Sequence, residues 1–128
     1  MRVLVEEIGI HRDWRGVVFE PLEADALCAQ RNVHVVITQP GVVRGNHRHR
    51  LGVETVVVYG PALVRFRDGE ETTERMVTGS FPVRFTIAAG VSHAFQNIGD
   101  SPNLLVCFNT FFHDRQNPDT EPDVLIEG

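Results

Sequence analysis

The 128-residue chain carries 17 acidic side chains against 12 cationic ones, a formal net charge of −5 at pH 7, so neither nucleic acid nor an anionic membrane is an expected partner. Every cation is an arginine, which excludes Schiff-base chemistry and a lysine-anchored pyridoxal phosphate. Cys28 and Cys107 form no Cys-x-x-Cys pair; with neither a disulfide framework nor a zinc ribbon indicated, a reducing, cytoplasmic setting fits.

The length suits one domain able to bury roughly two-thirds of its unfolded surface. Residues 1–30 are expected to form an arm and the first strands, 31–112 the barrel core and 113–128 a tail. Met1 to Arg15 mixes charges with short apolar runs and lacks the long apolar core of a signal peptide, and no later run is long enough to cross a bilayer. Glu23 to Gln30 is the one helical stretch. From Arg31 onward apolar and β-branched runs alternate with turn signals, predicting strands at Val33–Thr38, Thr55–Tyr59, Ala62–Arg67, Val83–Ile87, Ser92–Asn97 and Leu104–Phe108. Asp68-Gly69 reads as a two-residue hairpin turn. The unbroken run Val56-Val57-Val58 predicts a strand covered on both faces, by a second layer or a partner subunit. The polar tail, with its one apolar run Val124-Leu125-Ile126, reads as an arm or edge strand.

The chemistry is concentrated in Arg44-Gly45-Asn46-His47-Arg48-His49, followed by Glu54 and, later, by His93. Alternate strand residues share a face, so His47 and His49 project one way while Arg48 and Arg50 project the other. If a second strand brings His93 alongside and Glu54 adds a carboxylate, the four form a three-nitrogen, one-oxygen set that zinc, iron, nickel or manganese accepts. His11, His34 and His113 lie outside this spacing and receive no role. Asn97 reads as a turn or strand-end residue.

Gly41, His47, His49, Glu54 and Gly60 resemble the first motif of the cupin superfamily, and Gly90, His93 and Asn97 the second. The fold this implies is an all-β double-stranded β-helix, a jelly-roll barrel. Asp13-Trp14-Arg15-Gly16 with Phe19-Glu20, and Arg44-Gly45-Asn46-His47, are similar to elements of the sugar-nucleotide branch, which includes dTDP-4-dehydrorhamnose 3,5-epimerases and dTDP-sugar 3,4-ketoisomerases. The C-terminal cupin domain of capsular polysaccharide epimerase-reductases resembles the chain best, down to Asn117-Pro118-Asp119-Thr120. That branch implies a zinc-binding domain, a homodimer and a separate reductase as partner here. Glu54 lies one residue nearer Gly60 than in the usual motif, so either Glu54 or Val53 occupies the inward position.

The resemblance implies an epimerase or ketoisomerase of a nucleotide-linked 4-keto-6-deoxyhexose in surface polysaccharide synthesis. The ketone acidifies the neighbouring C–H bonds, so the reaction needs a base, an acid and positive charge at the enolate oxygen. Histidine, with an ordinary pKa of about 6.5, can serve as base or acid near neutral pH, which nominates His47 or His49, with Tyr59 as a proton donor. Zinc or an arginine could meet the enolate charge. Arg44, then Arg15 and Arg65, are the candidates for the diphosphate. Two rival readings use the same pocket: a non-catalytic metal cupin binding a sugar or small acid, and an iron-dependent dioxygenase.

Overall fold

In the computed structural model, which describes residues 1–128, the apolar runs pair as antiparallel strands. They are β1 (Val3–Glu7), β2 (His11–Asp13), β3 (Gly16–Val18), β4 (Asn32–Thr38), β5 (Val43–His49), β6 (Glu54–Tyr59), β7 (Ala62–Asp68), β8 (Glu71–Val77), β9 (Val83–Ile87), β10 (Ser92–Asn97), β11 (Asn103–Asn109) and β12 (Thr120–Pro122). A single short helix, α1 (Ala24–Leu27), covers the middle of the stretch expected to be helical. Two five-stranded sheets, ordered β1-β9-β6-β11-β4 and β12-β5-β10-β7-β8, face each other, and β2 and β3 form a separate hairpin. This is the all-β double-stranded β-helix the motifs imply.

Period-two alternation builds the interior. Val56 and Val58 of β6, Val64 and Phe66 of β7, Phe85 and Ile87 of β9, Phe95 of β10 and Leu105 of β11 point between the sheets into one core. Each such side chain contributes roughly 1.5–3 kcal/mol by leaving water. Phe66, Phe85 and Phe95 meet at centroid separations of 5.5 to 6.5 Å in tilted or edge-on geometry, the arrangement their quadrupoles favour.

Val57, which points away from that core, is buried as well. The N-terminal segment lies over this outer face. Arg84, paired with Val57 across β6 and β9, donates to the Pro21 carbonyl and to Glu6 and Glu23, and Phe19 packs edge-on against Tyr59. The same outer face is bare at its β4 edge, where Val33, Val35 and Ile37 are 58%, 60% and 62% exposed.

The apolar rhythm did not reveal β8, and it did not delimit β1 to β3 among the first strands expected in residues 1–30 or β12 within the tail expected as an arm or edge strand. In β8 the sequence Glu71-Thr72-Thr73-Glu74-Arg75 is polar because this edge strand is mostly exposed, and pairing with β7 defines it. The β7–β8 hairpin turns at Gly69-Glu70, one residue later than expected, because Asp68 pairs with Glu71; Gly69 supplies the positive φ of 62°. Asn97 accepts from the Gly99 amide and donates to the carbonyls of Thr38 and Ser101, fixing a turn as expected. The tail adds β12 to the edge beside β5 and buries Leu125 and Ile126 against Ala94. No helix is long and apolar enough to cross a membrane.

Candidate active site

The two sheets bring four side chains to one point. His47 of β5 pairs directly with His93 of β10, and His49 follows two residues on, on the same face. The ring centroids of His47 lie 4.8 Å from His93 and 5.1 Å from His49, and those of His49 and His93 are 5.7 Å apart. Glu54 opens β6 opposite Ile87 of β9 and Asn109 of β11, in phase with the inward Val56 and Val58. It is only 7% exposed, whereas Val53 lines a surface cleft with Leu4 and Thr86. Of the two alternatives for the inward position, Glu54 therefore takes it. One potential ligand atom from each of His47, His49, Glu54 and His93 lies within 4.8 Å of the others.

Hydrogen bonding orients these groups. His93 Nδ1 is 3.1 Å from the Val91 carbonyl, which can only accept, so the proton sits on Nδ1 and the lone pair on Nε2. That Nε2 is buried without a hydrogen-bond partner and faces Glu54 Oε1 at 3.7 Å. His49 Nε2 pairs with Glu54 Oε2, and its Nδ1 has Asp119 Oδ2 at 3.7 Å. Asp119 is itself fixed by the amides of Leu51 and Gly52 at 3.0 and 2.9 Å. Burial, then the neighbouring His93, lowers the pKa of His47 to about 4, and burial lowers that of His93. For His49 burial is outweighed by the bond to Glu54, which raises its pKa; for Glu54 burial is outweighed by the bond from His49, which lowers it. Two neutral imidazoles thus stand beside one ion pair. An orphaned, buried imidazole nitrogen aimed at a carboxylate and two further imidazoles fits a divalent cation.

A β-bulge completes the site. Between β5 and β10 the register shifts so that His47 faces His93 but Gly45 faces Ala94 and Arg44 faces Phe95. The extra residue, Asn46, has φ 57°, and Gly45 has φ 90°. The bulge brings Arg44, three residues from His47, to the same side. Arg44 thereby lines an inner cavity of about 180 Å³ with His34, His47, His93 and Cys107. An outer cavity, also about 180 Å³, opens between Asn32, His34, His47, Phe112, His113 and Asp119. Asn46 also ties down the tail: its Oδ1 accepts from the amides of Leu125 and Ile126, and its Nδ2 donates to the Ile126 carbonyl.

Residues 11–121 match the family described as the polysaccharide biosynthesis C-terminal domain. The chain belongs to this family. Among its curated relatives, the probable low-salt glycan biosynthesis epimerase Agl13 of Haloferax volcanii is 29% identical over 131 residues, covering 93% of this chain and 84% of that protein. The capsular polysaccharide assembling protein CapF of Staphylococcus aureus superposes with a TM-score of 0.69 at 27% identity, over 92% of this chain and 32% of that one. The chain thus spans about a third of CapF. The barrel of ChmJ, a 3'-monoepimerase from Streptomyces bikiniensis solved with dTDP-quinovose, superposes with a TM-score of 0.75 at 18% identity, over 94% of this chain and 68% of that one, which shows a shared fold.

In this polysaccharide biosynthesis C-terminal domain, three nominated residues stand away from both cavities. Tyr59 lies an odd number of residues from Glu54 on the same strand, so it faces outward onto Phe19. Arg65 alternates with the inward Val64 and Phe66 and reaches the opposite surface, where it binds Glu74 and the Leu125 carbonyl. Arg15 sits on the β2–β3 hairpin, held by Asp13. Neither arginine is free for a diphosphate in this pocket, which leaves Arg44. Three wall residues carried no signal in the motif spacing: His34, whose strand partner Cys107 points inward; Asn109, paired with Glu54; and Asp119, which the tail delivers. For His34 the signal was its place in a strand with Val36 and Thr38, two and four residues on.

Proposed function

We propose that the protein is an isomerase, an epimerase or ketoisomerase of a nucleotide-linked 4-keto-6-deoxyhexose in surface-glycan synthesis, working by enolisation beside the ketone. The observation that carries this reading is the convergence of His47, His49, Glu54 and His93 around an unpartnered imidazole nitrogen, in a chain of a polysaccharide biosynthesis family. The epimerase named among its relatives belongs to glycan biosynthesis, and the monoepimerase that shares its fold was solved with a dTDP-sugar.

His47, His49, His93 and Glu54 would hold one divalent cation, zinc in preference to iron, manganese or nickel, since three imidazole nitrogens and one carboxylate oxygen suit it. When bound, the ion supplies Lewis-acid stabilisation to an oxygen that gains charge. Arg44 binds the diphosphate: it lines the inner cavity, and its planar fork matches phosphate oxygens. Phe111 and Phe112, stacked at 5.4 Å on the outer wall, offer an apolar surface to the sugar ring. Asp119 holds His49 in orientation, as carboxylates behind ligand histidines do. The protein works as a homodimer through the apolar β4 edge.

Proton NMR of a dTDP- or UDP-4-keto-6-deoxyhexose with the protein in deuterium oxide, with metal analysis of the same sample, tests the reading. Deuterium entering the carbon next to the ketone, with about one zinc per chain, is the expected result. Tight binding without exchange would instead make the protein a sugar-binding cupin, and iron with oxygen consumption would make it a dioxygenase.

A further inference from the structure

We infer that His34 is the general base, the side chain that removes the proton from the carbon beside the ketone; the assignment rests on the isomerase reading above. Elimination leads to it. In His47, His49 and His93 one ring nitrogen faces the ligand cluster, and a ligand imidazole carries its proton on the other nitrogen. None of the three then has a lone pair for substrate, and Glu54 is committed in the same way. Tyr59 faces the wrong side of its sheet. Burial raises the pKa of the Cys107 thiol, so it is no base near neutral pH. Asp119 is engaged by two backbone amides and His49.

Arg44 stays protonated and cannot act as a base, so two ionisable wall residues remain. His113 borders the outer cavity alone, whereas His34 borders both, as do His47 and Glu54. The pairing of β4 with β11 sets His34 across from Cys107, which turns it to the inner face of the edge strand. His34 is solvent-exposed, so a captured proton can pass to water. A substrate carbon lying over the ligand cluster would meet His34 from the β4 side.

The step balances without an external oxidant. The C–H bond breaks, its electron pair becomes the enolate double bond, the carbonyl pair moves to oxygen and the proton rests on His34. Solvent water then delivers a proton to the carbon, the carbonyl re-forms and His34 returns its proton to solvent.

The test compares wild-type protein with His34→Ala and His34→Gln, using a 4-keto-6-deoxyhexose nucleotide in deuterium oxide. Metal content and affinity for the sugar nucleotide are measured on the same samples. Exchange should slow at least about 100-fold in both variants, with metal content unchanged and affinity within about threefold of wild type. Added imidazole should restore part of the exchange in the alanine variant, where the side-chain space is vacant. Exchange within about threefold of wild type in either variant overturns the assignment and leaves the isomerase reading standing. Loss of exchange accompanied by loss of metal, or without imidazole rescue, also overturns it. A wild-type protein that exchanges nothing overturns both.

Discussion

His47 and His49, two residues apart, hold protons in opposite ways. Burial and His93 hold the His47 pKa at about 4 against an ordinary value of 6.5, while Glu54 raises that of His49. Between pH 6.5 and 4 the unfolded metal-free chain binds a proton at residue 47 that the folded one refuses, so stability falls as pH falls through this window. His93 and Glu54, both lowered, act in the same direction; His49, raised, acts in the opposite one, its contribution being lost as pH rises. In urea titrations of metal-free protein the midpoint should therefore be lower at pH 5 than at pH 7, and His47→Gln should flatten the difference. An unchanged slope in that variant would remove His47 as the source. At this scale the sequence was legible where spacing controls direction. His47, His49 and His93 stand together because two-residue alternation and a strand pairing put them there. Tyr59 and Arg65 were chosen by residue type, and the same alternation turned them away.

The element that decides how the pocket is furnished is β5. Regular alternation would send Arg44 to the opposite face from His47; the bulge at Gly45-Asn46 reverses that. A Cβ at Gly45 would lie 2.8 Å from the His93 carbonyl oxygen, and its φ of 90° disfavours any L side chain. Gly45→Ala should thus cost about 1–3 kcal/mol, read from urea unfolding, and should weaken binding of added zinc because the displaced carbonyl belongs to His93, one of the proposed metal ligands. A stable variant with unaltered metal affinity would show that the bulge is not needed at this point. Bulges leave little trace in hydrophobic pattern, so the side on which Arg44 falls could not be read from the chain. Strands whose apolar residues enter the core, β6, β7, β9, β10 and β11, were located to within a residue or so. The short or polar elements β2, β3 and β8 were not, because pairing rather than composition defines them, and β12 was foreseen only as an edge strand somewhere in the tail.

For the whole molecule, the doubly covered strand inferred from Val56-Val57-Val58 is explained within one chain, where the segment around Pro21 and Glu23 lies over the outer face. The β4 edge, with Val33, Val35 and Ile37 side by side, is an apolar row still open to water; such rows on sheet edges are templates for association. Light scattering should report a dimer for the wild type and a monomer for Val35→Arg, with the metal retained; a wild-type monomer would remove the dimer. A last consequence concerns descent. The bulge adds a single residue between the arginine and the first histidine, so losing one codon there would restore plain alternation with the arginine two residues from that histidine and still on its face. A lineage could therefore shed the bulge residue without moving the arginine out of the pocket, whereas a barrel that kept the residue but straightened the strand would turn the charge to solvent.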